Sequence, residues 1–214
     1  MAEEIQTGGI QGERGDCDAR RAILAAARTR FLHYGYKKTT IDEIAADAGV
    51  GKGSVYLHFS SKEDILLTIA RDVKRCVTEQ MRATAASLAP PQEKIRRMML
   101  AKIIAVHDAA FSSTHGIDLV DDMMRPRVMA CGKDEYEAQR QIMASVLRDG
   151  ERSGDFSLHG RDPQETAELM CMAYMSFFPP YLTGCYAEKA HCQRYLEQMV
   201  TRMTEFLLDG LRAR

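Results

Sequence analysis

The stretch TTIDEIAADAGVGKGSVYLHF, residues 39–59, has the spacing of two short helices joined by a glycine-containing turn. Thr40 and Glu43 match a capping box, in which the hydroxyl satisfies one free amide of the helix and the carboxylate another. Apolar residues at three- and four-residue steps then define a short helix, and Gly49 predicts its end. A second short helix is predicted for residues 52–58.

An amphipathic segment, DARRAILAAARTRFLHYG (residues 18–35), lies upstream and ends in a glycine. One helix followed by two short helices around a tight turn is the order of a helix-turn-helix unit, whose second short helix enters the major groove of DNA. On spacing alone, a small helical domain of another function is the alternative. For DNA reading, the outward face of that helix must be small, polar or cationic. The residues predicted to face outward are Lys52, Gly53, Ser54, Tyr56 and His58, and those predicted to face inward are Val55 and Phe59.

The charge of the chain is unevenly distributed, although its formal net value is only −1. Residues 20–62 contain eight Lys or Arg against three acids, whereas residues 1–19 contain five acids and one Arg. The rest of the chain is nearly balanced, with 20 bases and 22 acids. The basic block coincides with the predicted helix-turn-helix and favours a polyanionic partner.

Helical periodicity continues through the remainder of the 214 residues. Ser61 is a typical cap for a long helix that ends before Pro90, and Asp162 with Pro163 forms another helix start. Further helical segments are QEKIRRMMLAKIIAVHDAAF, IDLVDDMM, EYEAQRQIMASVLRDGERSG and KAHCQRYLEQMVTRMTEFLLDGLR. No strand or repeat is evident, so we expect an all-α fold with an amino-terminal three-helix DNA-binding domain followed by a larger helical domain.

Composition limits the class of protein. Hydrophobic residues make up 45% and charged residues 28% of the chain, as is typical of a compact globular protein. No apolar run reaches the roughly 18–20 residues of a membrane span, and the acidic amino terminus is unlike a secretory signal. We therefore expect a cytoplasmic protein that does not associate with membranes. Six cysteines without a CxxC pair predict no disulfides.

The segment GYKKTTIDEIAADAGVGKGSVYLHFSSKEDIL, residues 35–66, resembles the DNA-binding domain of the TetR family of bacterial transcriptional regulators. It meets almost every fixed position of the pattern G-aromatic-x-x-T-T-[IV]-x-x-I-A-x-x-A-G-V-x-x-G-x-[IVL]-Y-x-[HY]-F-x-x-K-E-x-L. Gly51 departs from the family, because many members have Ser or Thr there and glycine is a weaker cap. The expected domains are a flexible tail (1–17), the helix-turn-helix domain (18–63) and a ligand-binding and dimerisation domain (64–214).

The resemblance implies DNA-binding roles for individual residues. Thr40 would contact a backbone phosphate as well as cap its helix, with the cap alone as the alternative. Gly53 would let the backbone approach DNA closely, on a face shared with Lys52 and Ser54. The other phosphate contacts implied are Tyr56, His58 and Lys62, with nonspecific attraction from Lys37 and Lys38.

For the larger domain, the resemblance implies a homodimer formed through the two C-terminal helices, which would present two recognition helices to a palindromic double-stranded DNA operator. The apolar stripe on residues 189–212 fits that interface and equally fits an intramolecular core. The resemblance also implies a pocket for a small hydrophobic effector, and thirteen methionines suit an adaptable lining. The candidate ligand-binding residues, each of which could instead be ordinary core, are Met99, Ile103, His107, Met124, Tyr136, Met143, Tyr174, Phe177, Phe178 and Tyr181.

Other functions have weaker support in the sequence. Cys185, His191 and Cys192 invite a metal-sensing or thiol-sensing interpretation, but their spacing matches no closed site, so we predict neither metal nor cofactor. The signatures GxSxG, HExxH, the phosphate loop and the dinucleotide fingerprint are absent, so an enzyme is not expected. An interaction scaffold is the other alternative. The sequence best fits a ligand-responsive transcriptional regulator, specifically a repressor.

Overall fold

The computed structural model describes residues 8–111, 113–178 and 193–211, with side chains from residue 16 onward. Every regular element in these residues is a helix, which confirms the all-α fold class. The described α-helices are α1 (Gly8–Tyr34), α2 (Ile41–Ala48), α3 (Lys52–His58), α4 (Lys62–Ala86), α5 (Pro91–Phe111), α6 (Gly116–Met123), α7 (Pro126–Ala130), α8 (Lys133–Arg152), α9 (Pro163–Ala173) and α10 (Gln193–Asp209). A 3₁₀ turn, Tyr174–Phe177, follows α9. None of the helices in the described ranges is long and apolar enough to cross a membrane.

The caps predicted around the helix-turn-helix are present. The Thr40 hydroxyl accepts from the amide of Glu43 at 3.3 Å, and the Glu43 carboxylate accepts from the amide of Thr40 at 2.8 Å. Gly49 ends α2 in the left-handed conformation, with φ 67°, which glycine adopts without a steric penalty. Gly51 caps α3 without a side-chain bond, and Ser61 caps α4 through the amide of Asp64. Local sequence chemistry therefore determines where these helices begin and end.

The first helix is longer than expected. α1 begins at Gly8, well before the predicted start at residue 18, so residues 8–17 of the predicted flexible tail are helical. The prediction relied on the apolar stripe, which begins only at Ile23. Each residue added to an existing helix forms one further hydrogen bond, so extending a helix is easier than starting one. This segment also contains no proline, which would end the helix.

Helix α4 joins two hydrophobic cores. Its first turns contribute Ile65 and Ile69 to the first core, which also holds the buried side chains of α1, α2 and α3. Farther along, Val77 and Met81 belong to the second core. The expected boundary between residues 63 and 64 therefore lies at the start of a helix that packs into both cores, and it is not a break in packing.

The α5–α6 turn meets the end of α1. The Ser113 hydroxyl donates to the carbonyl of Leu32 at 2.5 Å, and a Cβ on Gly35 would lie 3.6 Å from the His115 ring. Gly116 has no room for a side chain, because a Cβ there would lie 2.4 Å from the carbonyl oxygen of Ala109. Leu119 of α6 and Val128 of α7 complete the first core. The larger domain thus packs directly against the helix-turn-helix, through residues distant in sequence.

Helix α10 has a buried apolar face and one strongly exposed aromatic side chain. Leu196, Val200 and Leu208 are buried in the second core, to which α5 also contributes side chains. Phe206 points elsewhere and is 75% exposed. The single stripe predicted on residues 189–212 is therefore divided between an inward face and a solvent-facing side of the helix. The sequence could not predict this division, because an apolar repeat does not show which neighbour covers each part of it.

Candidate nucleic-acid interface

Helix α3 presents a solvent-exposed surface above a fixed inner face. Val55 and the following Phe59 are buried, as predicted. Lys52 and Gly53 are exposed on the opposite side, with Tyr56 at 51% exposure. Ser54 is half-buried at the edge of this side. We call the exposed side of α3 the recognition face; its members are Lys52, Gly53, Tyr56 and Leu57.

Lys52 is held by an exposed ion pair. Its ammonium lies 2.9 Å from Asp42 Oδ2 on α2, and this hydrogen bond raises the pKa of Lys52. Exposed pairs of this kind contribute little to stability, because water competes for both charges. The pair therefore positions the cation in the free protein without preventing its transfer to a phosphate or a base edge.

Gly53 lies in open space in the free chain. A Cβ at this position would meet no atom within 4 Å, so packing within the chain does not require a glycine. Glycine inside a helix is destabilising by about 0.5–1 kcal/mol relative to alanine. The fold itself thus does not need a glycine here, and the close approach of DNA to Gly53 stays a prediction.

We predict that Gly53→Ala separates stability from DNA binding. The free energy of unfolding should stay unchanged or rise by up to about 1 kcal/mol, because alanine favours the helix. Affinity for DNA should fall about tenfold or more if the added methyl keeps the backbone from the groove, since 1.4 kcal/mol corresponds to tenfold. Urea unfolding and fluorescence anisotropy measure the two quantities. Gly210→Ala, which adds the same methyl group at an exposed position after α10, is a control that lies away from the recognition face. Unaltered DNA binding by Gly53→Ala would contradict this role.

Thr40 is exposed and occupied by its cap. Its hydroxyl donates to Glu43 Oε2 at 2.9 Å, and bonds from the Thr40 amide and hydroxyl lower the pKa of Glu43. Arg30 is a further partner of the Glu43 carboxylate, because its guanidinium lies 3.1 Å from Glu43 Oε1. The capping role is thus observed, and the phosphate contact of Thr40 stays a prediction.

His58 does not lie on the recognition face. Its side chain is only 8% exposed, and its Nε2 atom lies 3.5 Å from Asp16 Oδ1 of α1. In the free chain the imidazole packs toward the amino-terminal part of the first helix, and the phosphate contact of His58 stays a prediction. Leu57, which the sequence analysis missed, is 85% exposed instead. The helical repeat contains the signal, since Leu57 stands four residues after Gly53 and so on the same side.

Lys62 faces the protein. Its ammonium donates to the carbonyls of Tyr36 and Thr39, each at 2.7 Å, and to that of Lys37 at 3.3 Å. It also lies 4.6 Å from the centre of the Tyr36 ring. Burial lowers the pKa of Lys62. The three donors of this lysine are thus engaged by the loop between α1 and α2, so Lys62 braces this loop in the free chain, and its contact with a phosphate stays a prediction.

Arg30 is a further positioning residue that the sequence analysis missed. Its Nε and a terminal nitrogen donate to the two carboxylate oxygens of Asp47 at 2.6 and 3.0 Å. This bidentate bond joins α1 to α2 and raises the pKa of Arg30. No local pattern indicated it, because the partners are 17 residues apart.

The predicted ligand residues are brought together, but as packed core. Met99, Ile103, Met143 and the aromatic residues of the segment 174–178 are buried in the second core. His107 is buried, Met124 is half-buried against this core, and Tyr136 is largely exposed. Tyr181 lies outside the described residues, as do Cys185, His191 and Cys192. No cluster of three or more potential metal ligands occurs among the residues that the structure describes.

Tyr174 has a structural contact that explains its burial. Its hydroxyl lies 2.5 Å from Thr204 Oγ1, which itself donates to the carbonyl of Val200. Burial raises the pKa of Tyr174 to about 12. The bond fixes the end of α9 to α10, so this hydroxyl is already used within the core.

Two surface hollows are found away from the predicted ligand residues. The larger, about 510 Å³, is an open groove between α5 and α10 that includes Arg96 and Arg202. The smaller, about 240 Å³, lies near Gln92 and Phe156. Neither is lined by a predicted ligand residue, so a molecule entering the second core would have to displace side chains that are now in contact.

The fold and the recognition face define a helix-turn-helix DNA-binding protein. Residues 23–69 match the family described as "Bacterial regulatory proteins, tetR family". The HTH-type transcriptional regulator YhgD of Bacillus subtilis is 28% identical, over 92% of this chain and 98% of its own length. The transcriptional repressor KstR2 of Mycobacterium tuberculosis is 28% identical, over 66% of this chain and 72% of its own. The structure of FadR from Bacillus subtilis, in complex with stearoyl-CoA, has a TM-score of 0.67 at 19% identity, covering 90% and 99% of the two chains.

These similarities extend from the helix-turn-helix into the larger domain. The match over residues 23–69 covers the carboxyl-terminal part of α1, all of α2 and α3, and the beginning of α4. The relatives and the solved structure then extend over most of the chain. Residues 23–69 therefore form a DNA-binding domain of the tetR family of bacterial regulatory proteins, and the chain is similar over most of its length to transcriptional regulators.

Proposed function

We propose that this chain is a cytoplasmic repressor that binds a palindromic operator as a homodimer and releases it when a small hydrophobic effector binds. The observation that carries the proposal is the recognition face, whose exposed glycine and cation stand on a helix fixed by a buried inner side. The repressor role is that of the related KstR2. A regulator of bacterial genes has to reach the chromosome, which supports the proposed cytoplasmic location.

Exposed apolar side chains support a dimer formed through the last helices. On α9, Leu169 and Met172 are more than half exposed, and on α10 Phe206 is exposed as well. Large apolar side chains on two neighbouring elements are typical of a surface that a partner covers. A twofold pairing there repeats the same patch on both copies and provides the two recognition helices that a palindrome requires.

Helix α4 supplies a connection between effector and operator. Its first turns pack into the first core together with the helix-turn-helix, and its later turns pack into the second core. A displacement within the second core is therefore transmitted to the first. An effector can drive this change only to the extent that it binds the released state more tightly than the operator-bound state. A coupling of about 1–3 kcal/mol would change operator affinity roughly 5- to 150-fold.

The effector class is suggested by the second core and by one relative. Methionines at positions 98, 99, 143 and 170 are buried there, and unbranched thioethers adapt to irregular apolar molecules. FadR was solved with stearoyl-CoA, which carries a long apolar chain. A hydrophobic effector inserted between the helices would replace contacts among these side chains.

The proposal is tested by fluorescence anisotropy with labelled duplexes from the DNA that flanks its own gene. We predict tight binding to at least one such duplex and much weaker binding to a scrambled duplex. Raising salt from 50 to 200 mM should reduce the affinity about 10³- to 10⁵-fold if roughly six to ten phosphates are contacted. Phe206→Asp should yield monomers by light scattering and lose specific binding, because one unit makes too few contacts.

Leu88→Asp is the matched control, because Leu88 is fully exposed in the loop after α4 and away from the last two helices. It should remain dimeric and bind DNA like the parent. Binding that ignores both sequence and salt would favour the interaction-scaffold alternative. A Phe206→Asp protein that stays dimeric would move the subunit interface elsewhere.

A further inference from the structure

Two lysines lie near the start of α8, where α4 and α5 pack against this helix. Lys74 of α4 and Lys102 of α5 are both partly buried. The Lys102 ammonium lies 5.2 Å from the centre of the Tyr136 ring on α8. The Lys74 ammonium donates to the carbonyl of Val128 at 3.3 Å, and it lies so close to Gly132 that a Cβ there would be only 2.4 Å away.

No carboxylate compensates these two charges in the described part of the chain. Burial lowers the pKa of Lys102, and the positive charge of Lys74 lowers it further, opposed by the Cys171 thiol. Burial likewise lowers the pKa of Lys74. Arg140 nearby shows the usual arrangement, since Glu137 and Glu168 lie 2.6 and 2.9 Å from its guanidinium. A partly buried cation without an acid is unfavourable unless an anion completes it.

The two lysines stand beside apolar side chains that suit a lipid-like molecule. Met99 and Ile103, which flank Lys102 on α5, are buried in the second core. Met143 of α8 and Met170 of α9 belong to the same core, and the buried Cys171 follows Met170 directly. A cationic edge on a methionine-rich core matches a molecule with an anionic head and an apolar chain.

We infer that the effector is an anionic amphiphile, with its negative group between Lys102 and Lys74 and its apolar chain in the second core between α5, α8 and α9. This inference rests on the proposed effector-controlled function and specifies the ligand class. The Tyr136 ring now covers the Lys102 ammonium, and the anion takes the place of that contact. A fatty acid carries a carboxylate and an acyl-coenzyme A carries phosphates, so both join an anionic group to an apolar chain and both are used as probes.

The test is calorimetric titration of the purified protein with decanoate, decanoyl-CoA and the uncharged decanol. At least one anionic probe should bind about tenfold or more tightly than decanol, since a hydrogen bond to a charged group is a strong contact. Tighter binding of decanoate identifies a free carboxylate, and tighter binding of decanoyl-CoA identifies the thioester. Equal binding of decanol would overturn the inference without any variant being needed.

Variants then locate the anion. Lys102→Met and Lys74→Met should each lose about tenfold or more in affinity for the anionic probe and leave decanol binding unchanged. Lys133→Met, an exposed lysine at the start of α8, is the matched control and should bind like the parent. Both site variants binding decanoate and decanoyl-CoA like the parent would overturn the assignment.

Anisotropy on operator DNA, measured on the same samples, separates this inference from the proposed function. Operator binding that is released by an uncharged molecule while the anions fail would leave the repressor standing and reject the anionic ligand. Anion binding that depends on Lys102 without any operator binding would keep the site and reject the repressor.

Discussion

Phe31→Ala is expected to lower the free energy of unfolding by about 3–5 kcal/mol, because it empties the centre of the first core. Phe31 is completely buried on α1 and meets the Tyr36 ring edge-on, with the ring centres 5.2 Å apart. The loss is a large part of the roughly 5–15 kcal/mol that stabilises a typical domain. Urea unfolding followed by circular dichroism measures it, and DNA binding should vanish at temperatures at which the variant unfolds.

Tyr34→Ala is the matched control for this prediction, since it removes an aromatic ring from the same helix at a position that is more than half exposed. The ring of Tyr34 contacts the Arg30 guanidinium at 5.3 Å, but Arg30 keeps its bonds to Asp47 without it. The expected cost is below about 1 kcal/mol, in the range of an exposed cation–π contact. Equal losses in the two variants would mean that the first core is not what holds the three helices together.

The fold could be predicted from the sequence where its signals are local. The capping box at Thr40, the left-handed end at Gly49 and the proline start at Pro163 are decided within a few residues, and the structure confirms all three. The predicted start of α1 was too late, because the apolar stripe marks only the part of the helix that packs against the core. The short helix α7 was missed, because five residues between polar loops show almost no period.

The candidate interface was predictable only in part, for a physical reason. Exposure of Gly53 and Tyr56 follows from the helical period, which the sequence contains. The inward turn of His58 and Lys62 depends on partners elsewhere in the chain, such as Asp16 and the carbonyl of Tyr36. A lysine that contacts DNA and a lysine that braces a loop look the same in the sequence. Only the distances to their partners in the structure distinguish them.

Lys62→Met is expected to lower the free energy of unfolding by about 1.5–3 kcal/mol, the range for hydrogen bonds to a charged group. Methionine keeps most of the volume but leaves the carbonyls of Tyr36 and Thr39 without their donor. This loop leads into the Thr40 cap, so α2 and the recognition helix that follows it lose a support. Affinity for operator DNA should therefore fall as well, and urea unfolding together with anisotropy measures both effects.

The salt dependence of DNA binding distinguishes bracing from a phosphate contact. A lysine that neutralises a phosphate contributes about 0.9 to the slope of log affinity against log salt, so its removal flattens the slope by that amount. Lys62→Met should keep the slope of the parent, because its ammonium is bound to the protein. Lys37→Met, an exposed lysine of the same loop, should flatten the slope while leaving stability unchanged. A flattened slope with full stability in Lys62→Met would restore the phosphate contact that the family resemblance implies, because the lysine would then have to leave its carbonyl partners when DNA binds.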